Sequence, residues 1–171
     1  MNRRCLLAVV AMACLGMPLL ADAAEQPRPA QQQFVGTWTL VSIHYVTADG
    51  HKVEPFGPGA KGLLYFDAAG RFATQVMTAS RPRFASNNRM LGTADENKAM
   101  SQGVVAYFGS YTTSDADRIL TLHIEQSSFP NWNGTEQKRV FTFTGDELHY
   151  TAAGSTANPA ESAELVWKRL R

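Results

Sequence analysis

Four polar residues of complementary type are the strongest candidates for chemistry in this sequence: His123, Glu125, Gln137 and Arg139. Side chains alternate between the two faces of a strand. The first two therefore share one face of a predicted strand, and the last two share one face of the next. Antiparallel pairing would bring all four into one patch. In such a patch Arg139 and Glu125 could orient a ligand carboxylate or carbonyl, or Glu125 could orient His123 as a general acid/base while Arg139 stabilises an oxyanion.

The orientation of this patch decides between two interpretations. Phe141 and Phe143 continue the face of Gln137 and Arg139, and a solvent face rarely carries two phenylalanines, so we expect the patch to point into the protein. The alternative is that His123 and Glu125 face solvent and that the opposite face of their strand forms the core. In that case Leu120, Leu122 and Ile124 line any cavity instead.

Other candidate binding residues are aromatic side chains and a second histidine. His44 is expected on the face that Trp38 and Leu40 share, where it could point inward or serve as a structural hydrogen-bond partner. Tyr107 and Tyr111 share a face with Gly109, which could open space for a ligand or mark a bend, and the two tyrosines could equally be core residues. Loop aromatics could cap or rim an opening: Trp132, Phe56 and Phe84.

The sequence predicts no metal site and no cofactor. The four histidines never form H-x-H or H-x-x-x-H, and His123 with Glu125 is the only ligand-like pair, which is too few ligands for zinc. No phosphate-binding loop, dinucleotide fingerprint or G-x-S-x-G motif is present.

The elements that must position these residues are short strands separated by turns. Thr93 and Glu96 form a capping box that predicts one short helix to about Gln102. Strands are expected over 37–46, 62–66, 71–77, 104–112, 118–126, 137–144, 147–152 and 163–170. Without βαβ alternation, this indicates an all-β fold, an eight-stranded antiparallel up-and-down barrel with one short helix. A two-sheet sandwich is the alternative.

Composition and charge exclude some classes of partner. The 171 residues carry 16 Lys+Arg and 15 Asp+Glu, a formal net charge of +1. This gives no electrostatic reason to bind nucleic acid or an anionic membrane. With 44% hydrophobic and 18% charged residues, the chain is typical of a globular protein.

The first residues are typical of a secretory signal peptide. Arg3 and Arg4 precede an apolar stretch, and an A-x-A cleavage site ends at Ala23, so we expect residues 1–23 to be removed. Residues 24–33 then form a flexible lead-in to a domain over 34–171. Export to the periplasm or medium of a bacterium follows, by the general or the twin-arginine route. Both cysteines, Cys5 and Cys14, leave with the leader, and lipidation at Cys14 is not expected because the usual preceding Leu is missing.

Motifs at both ends of the predicted domain resemble those of a known family. The G-x-W motif at Gly36–Trp38 and the terminal Trp167-x-Arg169 are similar to the opening and closing strands of lipocalins. The chain from about 34 to 171 further resembles the small lipocalin-like domain proteins of bacteria and fungi. The matching motifs are Asp49-Gly50, Pro55-Phe56-Gly57, Tyr65, Arg81-Pro82, Tyr107-Phe108-Gly109-x-Tyr111, His123-x-Glu125, Pro130-Asn131-Trp132-x-Gly134-x-x-Gln137-x-Arg139 and Leu165-Val166-Trp167-x-Arg169. The resemblance implies a barrel with a ligand cavity, whose floor Trp38 closes with Arg169 stacked on it, and it implies no reaction.

The sequence is compatible with three functions. The first is a monomeric or dimeric barrel that binds a small apolar or aromatic ligand, with ligand contacts from His123, Glu125, Gln137, Arg139, Tyr107, Tyr111, His44 and Trp132. The second is a cofactor-independent isomerase, cyclase or hydratase that uses His123 as acid/base. The third is a structural or partner-binding protein whose barrel is filled by side chains.

Overall fold

The structure, a computed structural model, describes residues 29–153 and 162–171. The predicted signal peptide and residues 24–28 of the predicted lead-in lie outside the described residues. The strands are β1 Gly36–Val46, β2 Lys52–Val53, β3 Lys61–Phe66, β4 Arg71–Met77, β5 Val104–Ser114, β6 Ile119–Ser127, β7 Glu136–Thr144, β8 Glu147–Ala153 and β9 Ser162–Arg169. The helices are α1 Ala30–Phe34 and α2 Ala94–Gln102, with a 3-10 turn at Pro130–Trp132.

Eight long strands close into an antiparallel barrel. Each strand from β3 to β8 pairs with the next, β1 pairs with β3, and β9 returns to pair with β1 over Trp38 to Val46. The two-residue strand β2 only extends β1 at Tyr45 and Val46. The sequence prediction of an eight-stranded up-and-down barrel is therefore confirmed, and closure rules out the open sandwich because it leaves no free sheet edge in the barrel.

Aromatic side chains fill one end of the barrel. Phe34, the last residue of α1, is fully buried and packs edge-on against Phe66, Phe141 and Phe143 with ring centroids about 5 Å apart. The Trp38 indole Nε1 donates a hydrogen bond to the Phe34 carbonyl oxygen, at 2.9 Å. This end is consequently a packed floor.

The helix α1 corrects one sequence expectation. Residues 30–33 were expected to belong to a flexible lead-in, but they form α1. The backbone N–H of Ala30 donates to the Asp115 carboxylate at 3.1 Å, and Phe34 inserts into the floor. These tertiary contacts stabilise a turn of helix that the polar sequence alone would not hold.

The capping box opens α2 as predicted. The Thr93 side chain accepts a hydrogen bond from the Glu96 backbone N–H, and the Glu96 carboxylate accepts from the backbone N–H groups of Thr93 and Ala85. These bonds hold the pKa of Glu96 below its ordinary value. They tie α2 to the irregular chain between β4 and β5, at the end of the barrel opposite the floor.

Candidate functional site

A cavity of about 710 Å³ occupies the barrel above the aromatic floor. A volume of this size is typical of small-molecule sites. Its wall is mostly apolar and aromatic, and the C-terminal end of α2 and the loop after β6 reach its opening. The residues that line the cavity include Ile43, Tyr45, Phe56, Thr74, Val76, Tyr107, Trp132, Gln137, Arg139, Tyr150, Ala152, Ala163, Leu165 and Trp167.

The register of β6 and β7 separates the four residues of the predicted polar patch. Leu120 pairs with Arg139 and Leu122 with Gln137, whereas His123 pairs with Glu136. Leu120, Leu122 and Ile124 are fully buried inside the barrel. The expectation that His123 and Glu125 point inward is therefore wrong, and the alternative in which the apolar face of β6 forms the core is correct.

His123 and Glu125 make ion pairs on the outer wall instead. The His123 Nδ1 atom lies 2.9 Å from a Glu136 carboxylate oxygen. Glu125 forms a two-pronged ion pair with Arg71, and this guanidinium holds the pKa of Glu125 below its ordinary value. Both carboxylates are about half exposed. His123 cannot act as acid/base on a molecule in the cavity from this position.

Gln137 and Arg139 do point into the barrel. Arg139 is only 7% exposed, and its Nη2 donates to the Gln137 side-chain oxygen at 2.5 Å while its Nη1 donates to the Lys138 carbonyl oxygen at 3.0 Å. Among the described residues, no carboxylate lies within ion-pair distance of it. A buried cation is normally paired, because leaving water costs several kcal/mol.

Tyr150 and Trp167 also line the cavity, although the sequence did not indicate either of them as a ligand contact. The Arg139 guanidinium carbon lies 6.0 Å from the Tyr150 ring centroid, and the Tyr150 and Trp167 centroids lie 6.4 Å apart. Burial raises the pKa of the Tyr150 phenol well above its ordinary value. Alternation along β8 carried the available signal, since Leu148, Tyr150 and Ala152 share its buried face.

The indole N–H of Trp167 is buried without a hydrogen-bond partner among the residues the structure describes. The Tyr150 hydroxyl is its polar neighbour, but the geometry between the two groups falls short of a hydrogen bond. A buried donor left unpaired costs about 1–3 kcal/mol. Trp167 has no exposed surface, so this unpaired donor lies within the wall and not at the surface of the cavity.

The remaining aromatic candidates divide between cavity and floor. Tyr107 and Trp132 meet edge-on at 5.4 Å and line the cavity, and buried Phe56 also lines it. Tyr111 lies in the floor, where its ring packs against Phe66 and its hydroxyl donates to the Asp67 carbonyl oxygen at 2.9 Å. Its expected place at a ligand is therefore wrong, and its alternative role as a core residue is correct.

Phe84 does not rim the opening as expected. A Cβ at Gly92 would come within 2.7 Å of the Phe84 ring, so the ring packs on its own loop. It is not among the cavity-lining side chains.

A β-bulge accounts for the misplacement of His44. The pairing of β1 with β9 skips a residue between Leu40 and Ser42, which reverses the alternation beyond that point. Ile43 and Tyr45 consequently face the cavity, and His44 faces outward, 3.9 Å from the Glu54 carboxylate. Burial raises the pKa of the Tyr45 phenol.

Arg169 and Trp38 make the contact that the resemblance implied. The Arg169 guanidinium carbon lies 4.1 Å from the Trp38 ring centroid. Its Nη1 donates to the Val35 carbonyl oxygen at 2.7 Å and its Nη2 to that of Gln33 at 2.5 Å. The pair therefore fastens α1 across the floor of the barrel.

Within residues 29–153 and 162–171, no group of three or more His, Cys, Asp or Glu side chains comes together in a way that could hold a metal ion. In the same part of the chain, no helix has the length and apolarity needed to cross a membrane.

Comparisons with known proteins agree with this architecture. The profile of a family described as a lipocalin-like domain matches residues 35–170. A protein of Aspergillus oryzae described as a 4'-hydroxy-3'-methoxypropiophenone carrier protein is 30% identical over 110 residues, which are 57% of this chain and 96% of that protein.

Two solved structures are similar at lower identity. A lipocalin-like protein from Bacteroides uniformis is 12% identical with a TM-score of 0.42, over 80% of this chain and 98% of that one. A mutant of the fluorescent protein UnaG is 14% identical with a TM-score of 0.39, over 82% of this chain and 98% of that one.

Proposed function

Because the chain belongs to the lipocalin-like domain family, we propose that it binds and carries a small apolar or aromatic molecule inside its barrel. The observation that carries this proposal is the cavity of about 710 Å³ between the aromatic floor and the loops. Apolar walls supply affinity by removing ligand surface from water, and a few polar groups fix the orientation of the ligand. The carrier of a hydroxyaryl ketone among its relatives supports a ligand of this kind.

The proposal is tested by filling the cavity from one small residue. Ala152 faces the cavity on β8 and Thr151 faces solvent beside it. We expect Ala152→Phe to abolish binding of 4'-hydroxy-3'-methoxypropiophenone, measured by calorimetry, because the new ring occupies the space of the ligand. The matched variant Thr151→Phe should bind like the wild type. Equal binding by both variants would place the ligand outside the barrel.

We further propose that the protein is exported. Arg3, Arg4, the following apolar stretch and the A-x-A site before Ala24 support this. Expression of the full chain in a bacterium with two membranes should give a periplasmic protein. Its intact mass should be that of a chain that begins at Ala24. Full-length protein retained in the cytoplasm would contradict it. Native mass spectrometry of the same sample would report a monomer or dimer and the mass of any molecule bound to it.

A further inference from the structure

We propose that the cavity selects ligands that carry an ionised acidic oxygen, a phenolate or a carboxylate, on an apolar aryl body, and that Arg139 receives this oxygen. The inference rests on the function proposed above and names the class of molecule that the cavity takes.

The positive charge of Arg139 is not balanced by the described residues around it. Arg139 is buried on the cavity wall, and its two hydrogen bonds go to neutral oxygens, on Gln137 and on the backbone of Lys138. A guanidinium has five N–H donors, so donors remain for a ligand. An anionic oxygen would supply the charge-assisted bond that the described residues do not provide.

The polar groups beside Arg139 are hydrogen-bond donors. The Tyr150 phenol on the cavity wall, between Trp167 and Arg139, carries a hydroxyl donor. The indole N–H of Trp167 is a further donor, but it is fully buried within the wall. The wall from β7 to β9 is therefore rich in donors and poor in acceptors. A ligand that presents an acceptor oxygen complements it better than a ligand that presents a donor.

Among the described residues, the titratable groups around the cavity do not compensate the charge of Arg139. Tyr45, Tyr107 and Tyr150 face the cavity from β1, β5 and β8. Burial raises the pKa of Tyr45 and of Tyr150, which keeps these phenols neutral. Glu136 lies on the cavity lining, but its carboxylate is largely exposed and pairs with His123 outside the barrel, and the Lys138 side chain is exposed to solvent.

Competition against a neutral probe tests the inference. N-phenyl-1-naphthylamine, an uncharged fluorescent molecule, reports on the cavity without needing Arg139. Two pairs of competitors then compare an acid with its neutral counterpart: 4'-hydroxy-3'-methoxypropiophenone with its methyl ether, and 3-phenylpropanoate with its methyl ester. Above the pKa of each acid, we expect the wild type to bind the acid at least tenfold more tightly than the neutral molecule.

Variants assign the preference to one residue. Arg139→Met should lose the preference while still binding the neutral competitors, and Arg139→Lys should retain part of it because it keeps the charge. Lys168→Met, which removes an exposed cation of β9, should behave as the wild type and controls for net charge. Absorbance of the bound hydroxyketone should show the phenolate at a pH below the pKa of the free phenol, with a proton released to the buffer.

Each outcome separates the inference from the function on which it rests. A preference in the phenol pair alone, or in the carboxylate pair alone, identifies which acid the site takes. Binding of the naphthylamine without a preference in either pair, or a preference that persists in Arg139→Met, overturns the inference and leaves the carrier function standing. Failure of the naphthylamine and all competitors to bind overturns the carrier function itself. If Arg139→Met does not fold, the wild-type absorbance and proton release decide the question.

Discussion

Arg139 and His123 show how one step of alternation separates a cavity-lining residue from a surface residue. The guanidinium of Arg139 faces the cavity, and the imidazole of His123, one strand away, pairs with Glu136 on the outer wall. The polar chemistry of the site therefore depends on Arg139 and the groups that hold it. Gln137, whose side-chain oxygen accepts from Nη2, is such a positioning residue.

This difference gives a prediction for ligand affinity. His123→Ala should leave the dissociation constant of the hydroxyaryl ketone unchanged, because His123 is not among the residues that line the cavity. Gln137→Ala should weaken binding roughly threefold to tenfold through the loss of one hydrogen bond that orients Arg139. Calorimetry of the two variants measures both values. A large loss of affinity in His123→Ala would show that the ligand lies on the outer wall.

Arg169 gives a prediction for stability. Arg169→Ala should lower the free energy of unfolding by about 2–4 kcal/mol, since it removes a cation–π contact with Trp38 and two hydrogen bonds to the carbonyl oxygens of Gln33 and Val35. Denaturant unfolding measures it. Lys168→Ala, an exposed neighbour on the same strand, should change stability by less than about 0.5 kcal/mol. Equal effects of the two substitutions would contradict the fastening of the floor by Arg169.

At the scale of the elements, a cross-strand ion pair predicts a dependence on pH. Arg71 on β4 reaches Glu125 on β6 across the width of β5, and it holds the pKa of Glu125 below its ordinary value. A carboxyl whose pKa is lowered on folding stabilises the protein above its unfolded pKa, and this contribution disappears as the pH falls through the folded pKa.

Arg71→Ala should therefore raise the pKa of Glu125 toward about 4.5, its ordinary value, as measured by NMR titration. The stability difference between wild type and Arg71→Ala should shrink as the solution is acidified below that value. A pKa that does not move in the variant would contradict the pairing. Arg118→Ala, which removes a cation outside this pair, is the control.

The strands themselves could be predicted from the sequence, whereas the faces of two of them could not. Period-two patterns and turn residues mark nearly every strand, and Thr93 with Glu96 marks α2. Either face of β6 could have pointed into the barrel. One face carries Leu120, Leu122 and Ile124, and the other carries polar residues that could pair with Gln137 and Arg139. Only the register, which pairs Leu120 with Arg139, resolves it.

Bulges are the other reason why the site could not be fully predicted. An extra residue in β1 turns His44 outward, and nothing in the local sequence marks it. A second irregularity lies at Gly109, where a Cβ would come within 1.9 Å of the His123 carbonyl oxygen. The sequence predicts either a bend or space for a ligand at Gly109. The structure shows that the glycine is needed because two backbones approach closely there.

At the scale of the whole molecule, the barrel divides into a packed half and a hollow half. Eight strands make a barrel that side chains can nearly fill, and aromatic residues from α1, β3, β5 and β7 do so at the floor. Toward the loops, small residues such as Ala152 and Ala163 on the inner face of the barrel leave room for the cavity. We therefore expect a ligand of moderate size to lie between the packed floor and the C-terminal end of α2.

The most direct test of this account is a crystal structure of the protein with 4'-hydroxy-3'-methoxypropiophenone. We expect the aryl ring inside the barrel against Tyr107 and Tyr150, with an oxygen of the ligand within hydrogen-bond distance of the Arg139 guanidinium. A ligand bound on the outer wall beside Leu63, Tyr65 and Phe108, with the cavity closed by rearranged side chains, would contradict it.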